Sequence, residues 1–327
     1  MLSSLQSIIT KNQFSLPVIC LLSIAIWLFT PTKEIANWEV TDYGLWSIMP
    51  LTVQKGFIGS IIGLAFTAIT VYAMVEFSNS LVLLRVSSRM LSSTLAIFMA
   101  LALCLHKFQP AHIVMLASLL SYASLFSSYQ KKSPALSFGT HFFLALEVLV
   151  CPKLILFIVP FWMVEVSINS LSFRCFLATL FALITPFWFF FAFAVFFDRF
   201  DIFTDYFVQA FDISKPVFSG LKESQVLVGL FTFVSFLIGS IGFFVTKTQD
   251  KLRQRTIFSI VIFHGLVSLV FGVFMPQCYN MFLGLLIIDT SIIAGRFWVV
   301  CDNHFTHNLF NILTIVAIII YALSVNM

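Results

Sequence analysis

Two carboxylates stand inside long apolar runs, Glu165 in the run 154–172 and Asp289 in the run 278–296. At 1.5 Å per helical residue, each lies about 16 Å from the start of its run, near the middle of a hydrocarbon core about 30 Å thick. A lone charge at that depth costs several kcal/mol, so each acid needs a partner, a proton or water. The corresponding chemistry is the binding of a coupling ion or proton, as in secondary transporters, and Glu165 and Asp289 are its candidate ligands. The plainer alternative is an interhelical hydrogen bond from a protonated acid. His141, Glu147 and His264 are the other titratable groups at membrane depth, and one of the histidines could partner a carboxylate. Asn169 and Ser172 follow Glu165 at offsets of four and seven, which predicts a polar stripe on one helix. Arg296 follows Asp289 at seven, on nearly the same face but about 10.5 Å further along the axis, so pairing would require it to reach back.

Two other segments gather acids among aromatic rings. KEIANWEVTDYGLW, from Lys33, places Glu34, Glu39 and Asp42 among Trp38, Tyr43 and Trp46. The rings alone would form an interfacial belt. Carboxylates beside rings also build sugar sites, with an acid to deprotonate a hydroxyl and a ring to stack on the sugar, so Glu34, Glu39 and Asp42 are the candidate catalytic residues. At that coarse level the segment resembles the first outer loop of membrane glycosyltransferases that use lipid-linked donors, although it is short and has no adjacent acid pair. FDRFDIFTDYFVQAFDI, from Phe197, carries Asp198, Asp201, Asp205, Gln209 and Asp212 at helical spacing, with Phe200, Phe203, Phe207 and Phe211 between them. This predicts an amphipathic helix in the outer interface, rings down and carboxylates up. Asp198, Asp201 and Asp205 are candidate ligands for a hard cation, against the plainer reading of a solvated face.

The remaining polar clusters point to less. His106 and His112 flank the turn HKFQPAH, and Cys301, Asp302, His304 and His307 sit together, but neither set has the closed spacing of a known metal site, and helix caps explain both. The six cysteines are scattered and read as small buried apolar residues. Walker, G-x-G-x-x-G, G-x-S-x-G and H-E-x-x-H motifs are absent, so a soluble nucleotide or protease mechanism has no support.

The elements that must position these residues follow from composition. Of the 327 residues, 60% are hydrophobic and 10% charged, against roughly 45–50% and 25% for a soluble domain. So few charges cannot cover a water-soluble surface of this size, and the bilayer is the expected partner. The net charge of +4 is spread along the chain without a basic, aromatic-rich block, which argues against a nucleic-acid partner. Apolar runs at about 14–30, 56–75, 91–105, 112–128, 135–151, 154–172, 175–197, 226–246, 256–275, 278–296 and 309–325 predict an all-α, polytopic transmembrane helix bundle of about 11 spans. One integral membrane domain, 1–327, is expected, with outer loops at about 31–54 and 198–224. Eleven of the 18 Lys and Arg residues then fall in inner segments, most densely from Lys247 to Arg255, so the amino terminus is placed in the cytoplasm. The first apolar run lacks a small-residue cleavage site and is expected to be retained. Small residues recur on one face in Gly56, Gly59, Gly63, Thr67 and Thr70, and again in Thr232, Ser235, Gly239 and Gly242, which predicts two tightly packed central helices.

NSLVLLRVSSRM from Asn79, HKFQPAH, SSYQ at Ser127 and FFLALEVLVCPKLILFIVPFW from Phe142 together resemble a group of uncharacterised multi-spanning inner-membrane proteins of Gram-negative bacteria. The resemblance implies a bacterial inner-membrane location and brings no activity or site residue. Three functions are open at this level. One is the handling of lipid-linked or envelope glycan at the outer leaflet, as a transferase, polymerase or flippase component. The others are proton- or ion-coupled transport and a non-catalytic role beside partner subunits of an envelope assembly.

Overall fold

A computed structural model describes residues 5–12, 14–29, 46, 56–84, 88–211 and 221–326. Among these residues the chain is helical, with no strand. Lipid offers no partner to a backbone N–H or C=O, so an apolar chain satisfies those groups within helices. The first half holds α1 (Leu5–Lys11), α2 (Ser15–Phe29), α3 (Gly56–Leu81), α4 (Met90–Leu101), α5 (Pro110–Ser127), α6 (Pro134–Val150) and α7 (Ile158–Ser167). The second holds α8 (Phe173–Phe196), α9 (Phe200–Phe211), α10 (Glu223–Thr246), α11 (Leu252–Phe274), α12 (Tyr279–Val300) and α13 (His304–Asn326). Every expected apolar run has a helical counterpart. Among the described residues seven helices, α3, α5, α8 and α10–α13, are long and apolar enough to cross a membrane; α2, α4 and α6 are shorter.

The connections collect at two ends. At one end, Gln254 Nε2 donates to Val82 O after α3, Arg253 to Phe126 O in α5, and Gln130 N to Ile168 O after α7. There Gln6 Nε2 also donates to Trp298 O and Cys301 O. At the other end, Phe108 N donates to Gly59 O, Asn280 Nδ2 to Gln109 Oε1, and Gln225 Nε2 to Asn280 Oδ1. With the shorter α4, α6 and α7 counted, successive helices from α3 to α8 and from α10 to α13 therefore alternate in direction, and the bases Lys131, Lys132 and Lys247 to Arg255 share the first end.

The axis of the bundle is α12, buried from Met281 to Trp298, with α4, α5, α10 and α11 packed around it. On the far side of α5 stands α6, followed by α8. The expectation of two central helices changes here. The small residues of α10 face α12, whereas α3 lies at the periphery and uses its own stripe locally, Gly63 against the backbone of Lys107 and Phe108. Both stripes mark close approach, and only one marks the core. A Cβ on Gly239 would stand 2.9 Å from Ile293 Cγ2 and 3.0 Å from the Ala294 backbone N. Gly239→Ala is therefore expected to destabilise the protein by about 1–3 kcal/mol, seen as a lower thermal midpoint in detergent; an unchanged midpoint would contradict this packing.

Helix stops alter two sequence expectations. Asn169 has φ of 56° and closes α7, with Ser170 N donating to Glu165 O and Asn169 N to Val166 O. This is a Schellman stop. Asn169 and Ser172 therefore do not extend a stripe from Glu165, and Ser172 instead caps α8 by accepting from Cys175 N. Asp198, at φ of 51°, closes α8 in the same way and so leaves the register of Asp201 and Asp205.

Candidate functional site

Asp289 is the eleventh of the 22 residues of α12, so it lies about 15 Å from either end of that helix. Its Oδ1 accepts a 2.7 Å hydrogen bond from the Tyr122 hydroxyl on α5, and its Oδ2 lies 2.8 Å from His264 Nδ1 on α11. All three side chains are buried, and the two partners come from different helices packed on α12. The His264 ring meets Tyr122, Phe157 and Phe161 at centroid distances of 5.2, 5.0 and 5.8 Å, which walls the pair in with aromatic carbon. Close approach at this level uses Gly265, whose missing Cβ leaves room for the Phe236 ring. Glu147 on α6 is fully buried as well. Its Oε1 lacks a hydrogen-bond partner, as does Ser268 Oγ, one turn beyond His264.

The pair Asp289–His264 is neutral overall in two forms, carboxylate with imidazolium or carboxylic acid with imidazole. Exchange between them moves one proton across a single 2.8 Å contact. Tyr122 can only donate to the anionic oxygen, so it favours the charged form, and the aromatic wall favours the neutral one.

Glu165 sits elsewhere. The run 154–172 is not one helix: it starts as a 3-10 turn, Pro152–Phe157, and α7 ends two residues after Glu165. The carboxyl is therefore near the basic end of the bundle and not at its middle. There Oε1 lies 3.8 Å from His141 Nδ1, while that nitrogen is 3.1 Å from Ser137 O. Both Glu165 oxygens, Ser137 Oγ and His141 Nε2 lack a hydrogen-bond partner although all three side chains are fully buried. Buried polar groups in that state call for water or an exchangeable proton. His141, like His264, thus stands beside a carboxylate, and α6 carries Ser137 and His141 of this cluster, with Glu147 further along the same helix.

Arg296 does not reach back to Asp289. Its Nε and Nη2 both bond Asp250 Oδ2, its Nη1 donates to Thr246 Oγ1 at 3.0 Å, and its guanidinium lies over the Phe243 and Phe258 rings. This is a lock on the α10–α11 turn.

Among the described residues, Asp198, Asp201 and Asp205 do not converge on a common site. Glu34, Glu39, Asp42 and Asp212 lie outside the described residues. Asp201 and Asp205 are exposed on α9, and Asp201 pairs with Arg199 at 3.5 Å on the surface. Among the described residues no three His, Cys, Asp or Glu side chains converge as for a metal. The amphipathic reading of α9 stands in one respect: Phe203 packs on Phe190 and Phe191, and Tyr206, not singled out in the sequence, buries its ring and donates to Val148 O. Beside it an open cavity of about 520 Å³ is lined by apolar side chains such as Ile155, Leu183, Phe187 and Trp188. That lining suits a hydrocarbon chain and offers nothing to a sugar.

His106 and His112 act as packing and capping groups. His106 stacks on Trp27 at 4.1 Å with Nε2 3.1 Å from Ala100 O, and His112 Nδ1 accepts from Gln109 N at 3.4 Å. Burial pushes His106, in the turn before α5, down from 6.5 to about 4. The unfolded chain therefore takes up this proton first. The stability tied to the neutral ring is complete above pH about 6.5 and is lost as pH falls toward about 4, roughly 2 kcal/mol between pH 7 and 5. His106→Gln should narrow the difference between thermal midpoints at those two pH values, and an equal difference would contradict the assignment.

No protein-family model matches the sequence, and no curated protein is similar to it. Fold and site together define a class: a helical membrane protein with a carboxylate, an imidazole and a phenol joined at the centre of its bundle.

Proposed function

We propose that this protein is a proton-coupled secondary transporter of the bacterial inner membrane, crossing it about 11 times with its amino terminus in the cytoplasm. The observation that carries the reading is the Tyr122–Asp289–His264 network, which ties α5 and α11 to the axial helix α12 through one ionisable carboxyl. As a carboxylate, Asp289 accepts from both neighbours. As an acid beside a neutral imidazole it donates to His264 Nδ1 and still accepts from Tyr122, so the partners stay while the charge pairing between α11 and α12 is lost. Protonation thereby biases how three packed helices sit against one another, which is the property a coupling site needs. The cluster of Glu165, Ser137 and His141 serves exchange with the basic, cytoplasmic end. The gathering of alternate connections at two ends supports the span count, and the bases at one of them support the orientation.

The test uses purified protein in liposomes with a trapped pH dye, presented with pools of amino acids, sugars, organic acids and lipophilic cations. At least one pool is expected to drive a lumenal pH change that a protonophore abolishes and that His264→Gln, which can donate to Asp289 but cannot take up a proton, removes. Silence with every pool, or an undiminished response in His264→Gln, would contradict the proposal.

A further inference from the structure

Two of the cysteines that look scattered in sequence meet in space. Cys151 and Cys278, 127 positions apart, bring their sulfurs to 3.6 Å, and both side chains are buried. Each lies in a short connection that contains a proline: Cys151 caps α6 before Pro152, and Cys278 ends the 3-10 turn Pro276–Cys278 that leads into α12. The two connections are tied a second time by the neighbouring residues, since Lys153 Nζ donates to Gln277 Oε1 at 2.6 Å. The backbones are therefore held in place while the thiols face one another. Closing 3.6 Å to a bond of about 2.05 Å asks the two sulfurs to approach by about 1.5 Å.

We propose that Cys151 and Cys278 are a modification site that takes a disulfide donor and closes to an intramolecular disulfide. The Cys151 thiolate attacks one sulfur of the donor, forming a mixed disulfide and releasing the first donor thiolate. The Cys278 thiolate then attacks the Cys151 sulfur, the Cys151–donor bond breaks, and the second donor thiolate leaves. The two thiol protons end on the two donor thiols, so two electrons pass from the cysteine pair to the donor. Either cysteine can take the first step, and the product is the same. The bond staples the end of α6, which carries Glu147, to the start of α12, which carries Asp289. Its formation does not depend on the transport reading.

The experiment treats the full-length wild-type protein in liposomes with dithiodipyridine, a small uncharged disulfide, then denatures it, alkylates remaining thiols and maps peptides without reduction. The half-buried Cys20 and Cys301 report that the reagent has entered the bilayer, by carrying thiopyridyl adducts. The expected result is a linked pair of peptides containing Cys151 and Cys278, lighter by two hydrogens than the free peptides and separated by a thiol reductant. Thiopyridyl adducts on Cys151 and Cys278 individually, or both found alkylated while Cys20 and Cys301 have reacted, would overturn the proposal. Cys151→Ser should leave Cys278 unlinked, and a link from Cys278 to another cysteine in that variant would also overturn it.

Discussion

Asp289→Asn is expected to reduce solute-driven proton movement in liposomes about 100-fold or more, to the level of protein-free vesicles, because the amide keeps the shape of the site and cannot carry the proton. The variant should still fold. Asn presents one oxygen where the carboxylate presented two, so either Tyr122 or His264 loses its acceptor, at a cost of about 1–3 kcal/mol. A monodisperse, slightly less stable protein without proton movement is the expected combination. Full activity in this variant would remove Asp289 from the mechanism.

The largest effect on stability is expected from Arg296→Met. The change leaves the Asp250 carboxylate buried without the two guanidinium bonds that compensate it, and breaking such a pair costs about 3–5 kcal/mol. Adding Asp250→Asn removes the orphaned charge, so the double variant should recover a good part of the loss. The recovery identifies charge as the cause, because lost packing over Phe243 and Phe258 would persist in both variants. Thermal midpoints of the two single variants and the double variant in the same detergent complete the cycle. Equal midpoints for Arg296→Met and the double variant would show that packing holds the α10–α11 turn.

The helical architecture was legible because apolar runs in a chain with so few charges leave no other way to satisfy the backbone. Asp289 was legible as well, since a carboxyl at that position in an apolar run demands compensation, and His264 stood among the few groups able to supply it. Tyr122 was not. A tyrosine in SYASLF reads as packing or belt, and its contact with Asp289, 167 positions away, exists only once α5 has docked on α12. The depth of Glu165 was misjudged because the run 154–172 looks continuous, whereas Pro152 opens a 3-10 turn and Asn169 stops α7 in the left-handed region, where asparagine is tolerated. The same tolerance hid the stop at Asp198, whose place in an acidic series of helical period masked its role as a terminator. Cys151 and Cys278 carry no local signal at all, since their proximity is set by how two connections meet at one end of the bundle.

The central claim is that Asp289 exchanges a proton within the folded protein. Infrared difference spectroscopy on the protein in lipid, stepped between about pH 5 and about pH 9, reads that exchange directly as the carbonyl band of a protonated carboxyl. The account expects a pH-dependent carboxyl band that is missing in Asp289→Asn and displaced in His264→Gln. The same set of bands in wild type and Asp289→Asn would contradict it, leaving Asp289 as a fixed hydrogen-bonding group in the core.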